Sequence, residues 1–247
     1  MKVVILCGGK GLRMRGANNN LPKPMALVKD KPILWHIMKC YSKFGYNDFI
    51  LPLGYGGDKI KKYFIDYKWK NSNFIKDYEK DKIDYYGDID IKKWKITFID
   101  TGLDTMTGGR IKKVEEFIDE DTFMLTYGDG LSDINIDNLY NYHKKKGKIA
   151  TLTAVERKSQ YGILNIKKGL ATSFGEKTSI DGYINGGFFI LNKEIFRYLD
   201  GDKCIFEEEP LRTLVKEKEL AVYKHKGYWH AIDTPKDLQV ANQEWNK

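Results

Sequence analysis

The 247-residue sequence predicts an α/β fold: a mixed, mainly parallel sheet flanked by helices, formed as a single domain. Three observations predict it. Strand-like and helix-like segments alternate along the chain. A glycine-rich stretch follows the first apolar run directly, as at the carboxyl end of a parallel strand. Two aspartates, Asp129 and Asp233, stand just past later apolar runs, again at the ends of expected strands.

Residues 2–6 read as a buried first strand, and the glycine-rich stretch runs on to about residue 20. Residues 32–44 read as a helix, with Pro32 near its first turn and Gly45 at its stop. A second strand at 48–53 precedes a helix running to residue 65. Asp58 is the expected N-cap, and Ile60, Phe64 and Ile65 fall near helical spacing. Residues 67–94 break the rhythm and read as an excursion from the core. The sheet resumes at 95–99, a helix is expected at 109–118, and a strand at 122–126 runs into Tyr127-Gly128-Asp129-Gly130. A helix at 136–146 is followed by strands at 149–155, 161–166 and 184–191. A helix at 207–216, strands at 220–225 and 228–232, and a helix from Pro235 complete the pattern.

A charged fraction of 31% and a hydrophobic fraction of 42% are ordinary for a globular protein. The first apolar run, residues 3–7, is too short for a signal-peptide core, and no run approaches the roughly 18 residues of a membrane span. The expectation is a cytoplasmic protein with no membrane partner. Cys7, Cys40 and Cys204 are odd in number and far apart, which favours buried thiols over disulfides or a zinc site. The net charge of +8 comes from 36 lysines against six arginines, scattered through the chain. That scatter gives no nucleic-acid platform, so no nucleic-acid partner is expected; the positive field suits small polyanions equally well.

The first chemical signal is Gly8-Gly9-Lys10-Gly11-Leu12-Arg13. It fits neither a dinucleotide fingerprint, because Met14 holds the third glycine position, nor a Walker loop, because glycine follows Lys10. Glycines there let backbone N–H groups approach phosphate, though a plain surface turn is the competing reading. Arg13 suits bidentate phosphate contact, and Lys23 is held between Pro22 and Pro24, which restrict the backbone. Asp129 and Asp233 could share a divalent cation with a triphosphate. Each could instead cap a turn or helix, and for Asp233 alone, before Thr234-Pro235, capping is the stronger reading.

These pieces resemble the sugar-phosphate nucleotidyltransferases over nearly the whole chain. The resemblance is carried by the opening residues 3–13 with Pro22-Lys23-Pro24-Met25, by residues 31–38, and by Asp100-Thr101-Gly102. It extends through Met106-Thr107-Gly108-Gly109-Arg110, Thr126-Tyr127-Gly128-Asp129-Gly130, Asn185-Gly186-Gly187-Phe188-Phe189 and Glu208-Glu209-Pro210-Leu211. The excursion and the Met-Thr-Gly-Gly-Arg stretch point to the cytidylyl branch.

The resemblance implies a Rossmann-like sheet, Mg²⁺ as cofactor, CTP as donor, and a phosphorylated small-molecule acceptor, best read as glucose 1-phosphate. It also implies a homo-oligomer. It assigns Arg13, Lys23 and Asp129 to catalysis and Asp129 and Asp233 to the metal. Leu6, Gly8, Gly9, Gly11, Arg13, Lys23, Thr107, Gly109, Arg110 and Gly128 fall to the nucleotide, with Gly108 and Gly109 allowing the base to approach. Arg110 could alternatively be a surface charge of its helix. Tyr127, Gly162, Glu176, Lys177, Asn185 and Gly186 fall to the acceptor. Leu12 and Thr178 depart from the residues usual in the family, Thr and Pro, and the second touches the acceptor pocket. Another phosphorylated acceptor, or a non-catalytic nucleotide- or RNA-binding protein, are the competing expectations; Arg13, Lys23, Asp129 and Asp233 together weigh against the latter.

Overall fold

The computed structural model describes residues 1–11, 21–158, 163–167, 170–175 and 179–245, with the backbone alone described over 157–181. The first strand, β1 (Lys2–Leu6), is apolar on both sides and buried. A short 3₁₀ turn, Lys23–Met25, and a two-residue hairpin, β2 (Leu27–Val28) and β3 (Lys31–Pro32), lead into α1 (Ile33–Ser42). Next come β4 (Asp48–Leu53) and α2 (Gly57–Ile65). The N-cap of α2 is Gly56 in a left-handed conformation rather than Asp58, which lies in the first turn. There it still complements the positive end of the helix dipole.

The excursion is ordered. It contains a one-turn helix, α3 (Tyr67–Asn71), and a hairpin of β5 (Asn73–Asp77) with β6 (Lys82–Tyr86), before the sheet resumes at β7 (Lys95–Asp100). The expected helix at 109–118 is instead α4 (Thr107–Lys112) followed by a separate 3₁₀ turn, Glu115–Phe117. Its start is set earlier because Gly108 and Gly109 donate their N–H groups to Cys204 O, at 2.9 and 3.2 Å.

After α4 come β8 (Thr122–Tyr127), β9 (Gly130–Ser132) and α5 (Ile136–Lys146), the last capped by the Asn135 side chain and stopped at Gly147. β10 (Ala150–Lys158) precedes a second small hairpin, β11 (Ile163–Lys167) with β12 (Leu170–Gly175), of which the sequence reading had one strand. The long β13 (Ser179–Asn192), α6 (Glu209–Lys216), β14 (Leu220–His225), β15 (Trp229–Ala231) and α7 (Pro235–Glu244) complete the chain.

Seven strands form the main sheet in the order β14-β10-β13-β8-β1-β4-β7. All neighbours are parallel except β13, which runs antiparallel to both β8 and β10. Alternate residues of β1 feed opposite faces, as strand geometry requires. Val3 and Ile5 join the core under α1 and α7, whereas Val4 and Leu6 join the core under α4 and α6. β1 is an inner strand between β8 and β4, and because β8, β1, β4 and β7 run parallel, the loops that follow them emerge at one edge.

Candidate active site

Those loops enclose a cleft of about 700 Å³. Leu6, Gly8, Gly9 and Gly11 contribute to it from the end of β1, Thr107 and Arg110 from α4, and Tyr127, Gly128 and Asp129 from the end of β8. Lys23 and Asp233 meet Asp129 at its mouth. The Lys23 Nζ donates to Asp129 Oδ2 at 2.6 Å and to Asp233 Oδ1 at 2.5 Å. The 3₁₀ turn holds Lys23 in place, its flanking prolines Pro22 and Pro24 buried and its carbonyl accepting from Ala26 N–H at 3.0 Å.

Asp233 reaches this point because the helix behind it has its cap elsewhere. Thr234 is the N-cap of α7 and forms a reciprocal capping box with Asp237. The stronger sequence reading, Asp233 as the cap, is therefore replaced: the cap is one residue later, and Asp233 extends to Lys23.

Two carboxylates closing on one ammonium define a point built to hold positive charge. Their side chains keep 35% and 36% exposure, so water and phosphate oxygens can reach the same point. A pair of aspartate oxygens completed by phosphate and water is the donor set Mg²⁺ prefers. Among the described residues no group of three or more His, Cys, Asp or Glu side chains gathers to form an all-protein cage. The two aspartates thus fit magnesium as a partner brought together with phosphate.

Arg110 is not a surface charge. It is buried, and its guanidinium spans Thr101 Oγ1 at 2.6 Å, Leu53 O at 3.0 Å, Gly8 O at 3.1 Å and Leu103 O at 3.4 Å. It ties the ends of β4 and β7 to the glycine loop. A Cβ on Gly8 would lie 2.2 Å from the guanidinium and one on Gly54 2.7 Å, so both positions need glycine to admit it. Burial lowers the Arg110 pKa from its ordinary value, with Asp100 the first charge opposing the shift. Cys7 lines the same wall; burial, then Asp129, holds its thiol well above the usual range and keeps it inert as a nucleophile.

The glycines of α4 are closely packed on the side where a side chain would stand. A Cβ on Gly108 would meet Cys204 Sγ at 2.4 Å, and one on Gly109 would meet Gly201 O at 2.8 Å. The Cβ side of Gly109 therefore backs onto the 201–204 segment. Thr107 does line the cleft.

Of the residues expected at the acceptor, Tyr127 and Asn185 are brought together, the Asn185 Nδ2 donating to Tyr127 Oη at 3.4 Å. Gly186 lies beside them, with its carbonyl accepting from the Trp229 indole N–H at 2.7 Å. Trp229 went unnoticed in the sequence, where nothing local marks it as the pin holding this part of β13. Arg13, Gly162, Glu176 and Lys177, like Leu12 and Thr178, lie outside the described residues.

The nucleotidyl transferase family model matches residues 2–247. The chain is 52% identical to a probable glucose-1-phosphate cytidylyltransferase of Bacillus subtilis, over all of this chain and 97% of that protein. It is 42% identical to the glucose-1-phosphate cytidylyltransferase of Salmonella typhimurium, over all of this chain and 96% of that protein. Among solved structures it superposes on HddC from Yersinia pseudotuberculosis with a TM-score of 0.71 at 26% identity, covering 99% of each chain. UDP-glucose pyrophosphorylase from Acinetobacter baumannii shares the fold, with a TM-score of 0.73 at 15% identity over 99% of this chain and 92% of that one. A family match spanning the sheet, the glycine loop and both aspartates leaves one assignment: the chain belongs to the nucleotidyl transferase family.

Proposed function

We propose that this enzyme transfers the cytidylyl group of CTP to glucose 1-phosphate, releasing pyrophosphate and forming CDP-glucose. The observation that carries the chemistry is the convergence of Lys23, Asp129 and Asp233 at the mouth of a glycine-lined cleft. The choice of CTP and glucose 1-phosphate is supported by full-length similarity to proteins bearing those names.

A phosphate oxygen of the acceptor attacks the α-phosphorus of CTP. The new P–O bond forms as the bond to the β-phosphate oxygen breaks, and that electron pair leaves with pyrophosphate. Both reactants are anions, and each pair of unit charges at about 4 Å repels by roughly 4 kcal/mol at an effective dielectric of 20. Positive groups must offset this. Lys23 stands against the glycine loop, its Cβ 3.3 Å from the Cβ position of Gly11, so its charge reaches phosphates lying there. Arg13 holds the triphosphate and the leaving group, and Lys177 holds the acceptor phosphate. Asp129 and Asp233 would hold magnesium, which when bound would neutralise charge on the phosphates. Leu6 and Thr107 border the base, while Tyr127, Asn185 and Glu176 read the sugar. Catalysis is thus positioning and electrostatics without a covalent enzyme intermediate.

Pyrophosphate release with CTP, UTP, dTTP, ATP and GTP against a panel of sugar 1-phosphates and non-sugar phosphates tests this. CTP with glucose 1-phosphate should give the highest kcat/KM; preference for another nucleotide or acceptor overturns the assignment.

The enzyme acts in the cytoplasm as a homo-oligomer, assembled through the β5–β6 hairpin. Phe74, Ile75, Tyr78, Ile83 and Tyr86 are all exposed on it, and exposed apolar residues in one place favour burial against a partner. No helix among the described residues is long and apolar enough to cross a membrane.

A further inference from the structure

Behind the cleft lining, one carboxylate collects hydroxyl protons from both of its walls. Glu207 stands on the turn that leads into α6. Its Oε2 accepts from the Thr107 hydroxyl at 2.6 Å, and its Oε1 accepts from the Tyr127 hydroxyl. Thr107 opens α4 on one wall, and Tyr127 ends β8 on the other.

Every hydrogen bond in this network has a fixed direction. The Phe206 N–H donates to Thr107 Oγ1 at 2.9 Å, and Thr107 passes its own proton to Glu207. On the other branch, Gly187 N–H donates to Asn185 Oδ1 at 2.8 Å, which settles the orientation of that amide. Asn185 Nδ2 then donates to Tyr127 Oη at 3.4 Å, and Tyr127 donates to Glu207.

A phenol hydroxyl has one proton to donate, and its oxygen accepts. With the proton committed to Glu207, and Asn185 Nδ2 reaching the oxygen only at 3.4 Å, Tyr127 can offer the cleft only an acceptor. We propose that Glu207 is a positioning and specificity residue that fixes the Tyr127 hydroxyl as a hydrogen-bond acceptor and couples it to Thr107, so that the site selects a polyhydroxylated acceptor by one hydroxyl that donates. This rests on the sugar-phosphate reading above and deepens it.

Glu207→Gln tests the direction of the network. Its amide presents one acceptor and one donor to two hydroxyl donors, so one of the two hydroxyls must turn. The measurement is kcat/KM for glucose 1-phosphate and its 2-, 3- and 4-deoxyfluoro analogues, in which a donating hydroxyl is replaced by fluorine. Wild type should reject one analogue on the order of tenfold or more. Glu207→Gln and Tyr127→Phe should each collapse that one ratio, leaving the ratios at the other positions unchanged. The double variant should do no more than Tyr127→Phe alone, because the two act as a unit. Additive losses, or analogue ratios equal to wild type in Tyr127→Phe, overturn the proposal. If Glu207→Gln does not fold, Thr107→Val, which removes the other proton that Glu207 accepts, replaces it in the cycle, and wild-type analogue ratios in that variant overturn the coupling. Failure of the CTP and glucose reading is seen separately in the wild-type substrate panel, and the cycle is then run on fluorinated analogues of the sugar phosphate that wild type prefers.

Discussion

Lys23 Nζ lies 2.5 Å from Asp233 Oδ1 across 210 residues of sequence, and 2.6 Å from Asp129 Oδ2. One ammonium thus joins the first loop of the chain to the last strand-to-helix turn. The lysine side chain is only 12% exposed, so its direction is set by packing and by these two partners.

Asp129→Asn and Asp233→Asn are each expected to retain the fold and to lower kcat by at least about 10²-fold, since each weakens one shared cation site. The double variant should cost little more than the worse single one, as groups acting together do. Turnover measured at limiting and saturating Mg²⁺ checks this. Normal activity at limiting Mg²⁺ in either variant removes that carboxylate from the site.

Arg110→Lys is expected to fail in stability as well as in nucleotide affinity. A single ammonium cannot span Thr101, Leu53, Gly8 and Leu103 as the planar guanidinium does. Each buried acceptor left without a partner costs about 1–3 kcal/mol, so a loss of at least that size should show in urea unfolding. KM for CTP should rise in parallel because the glycine loop loses its brace. A variant with wild-type unfolding and unchanged KM would show the brace to be dispensable.

Mild acid should destabilise the fold through His36. Its Nδ1 accepts from the Trp245 indole N–H at 3.0 Å while its Nε2 faces Val28 O at 3.0 Å, an arrangement for a neutral ring. Burial lowers its pKa below the ordinary value, and burial does the same to His143. The unfolded chain therefore takes up protons first, near pH 6.5, and stability rises with pH across that region. The urea midpoint should fall between pH 7.5 and pH 5.5, and less steeply in His36→Gln. A flat wild-type midpoint over that range contradicts the neutral, buried ring.

Replacing residues 73–86 with a short turn should lower the sedimenting mass while leaving the core folded. An unchanged mass with a folded core refutes the assembly role of the hairpin.

The elements with a clean period were legible in the sequence: Lys2–Leu6, Asp48–Leu53 and Ile136–Lys146 have the expected ends. Those set by distant contacts were not. The start of α4 depends on Cys204, almost a hundred residues away, which no local pattern announces. Tyr67, the first residue of the segment that reads as an excursion from the core, is buried, its hydroxyl donating to Asp90 at 2.8 Å and accepting from Trp35 at 3.1 Å. In the site, Lys23 and Asp129 were legible from their motifs. Glu207 was not, because it is one of three successive glutamates and only the folded geometry separates it from Glu208 and Glu209.

The inner place of β1, between β8 and β4, has a consequence for how the protein is made. This strand is translated before the other strands of its sheet, and its partner on one side, β8, follows roughly 120 residues later. At about 5–20 residues per second the interval is roughly 6–24 s. Through that time the apolar segment Val3-Val4-Ile5-Leu6 keeps an open edge, a template for pairing with other nascent chains. Early β4 can cover only the opposite edge. Yield in a cell should therefore respond to translation rate and to holding chaperones more than the stability of the finished enzyme would suggest.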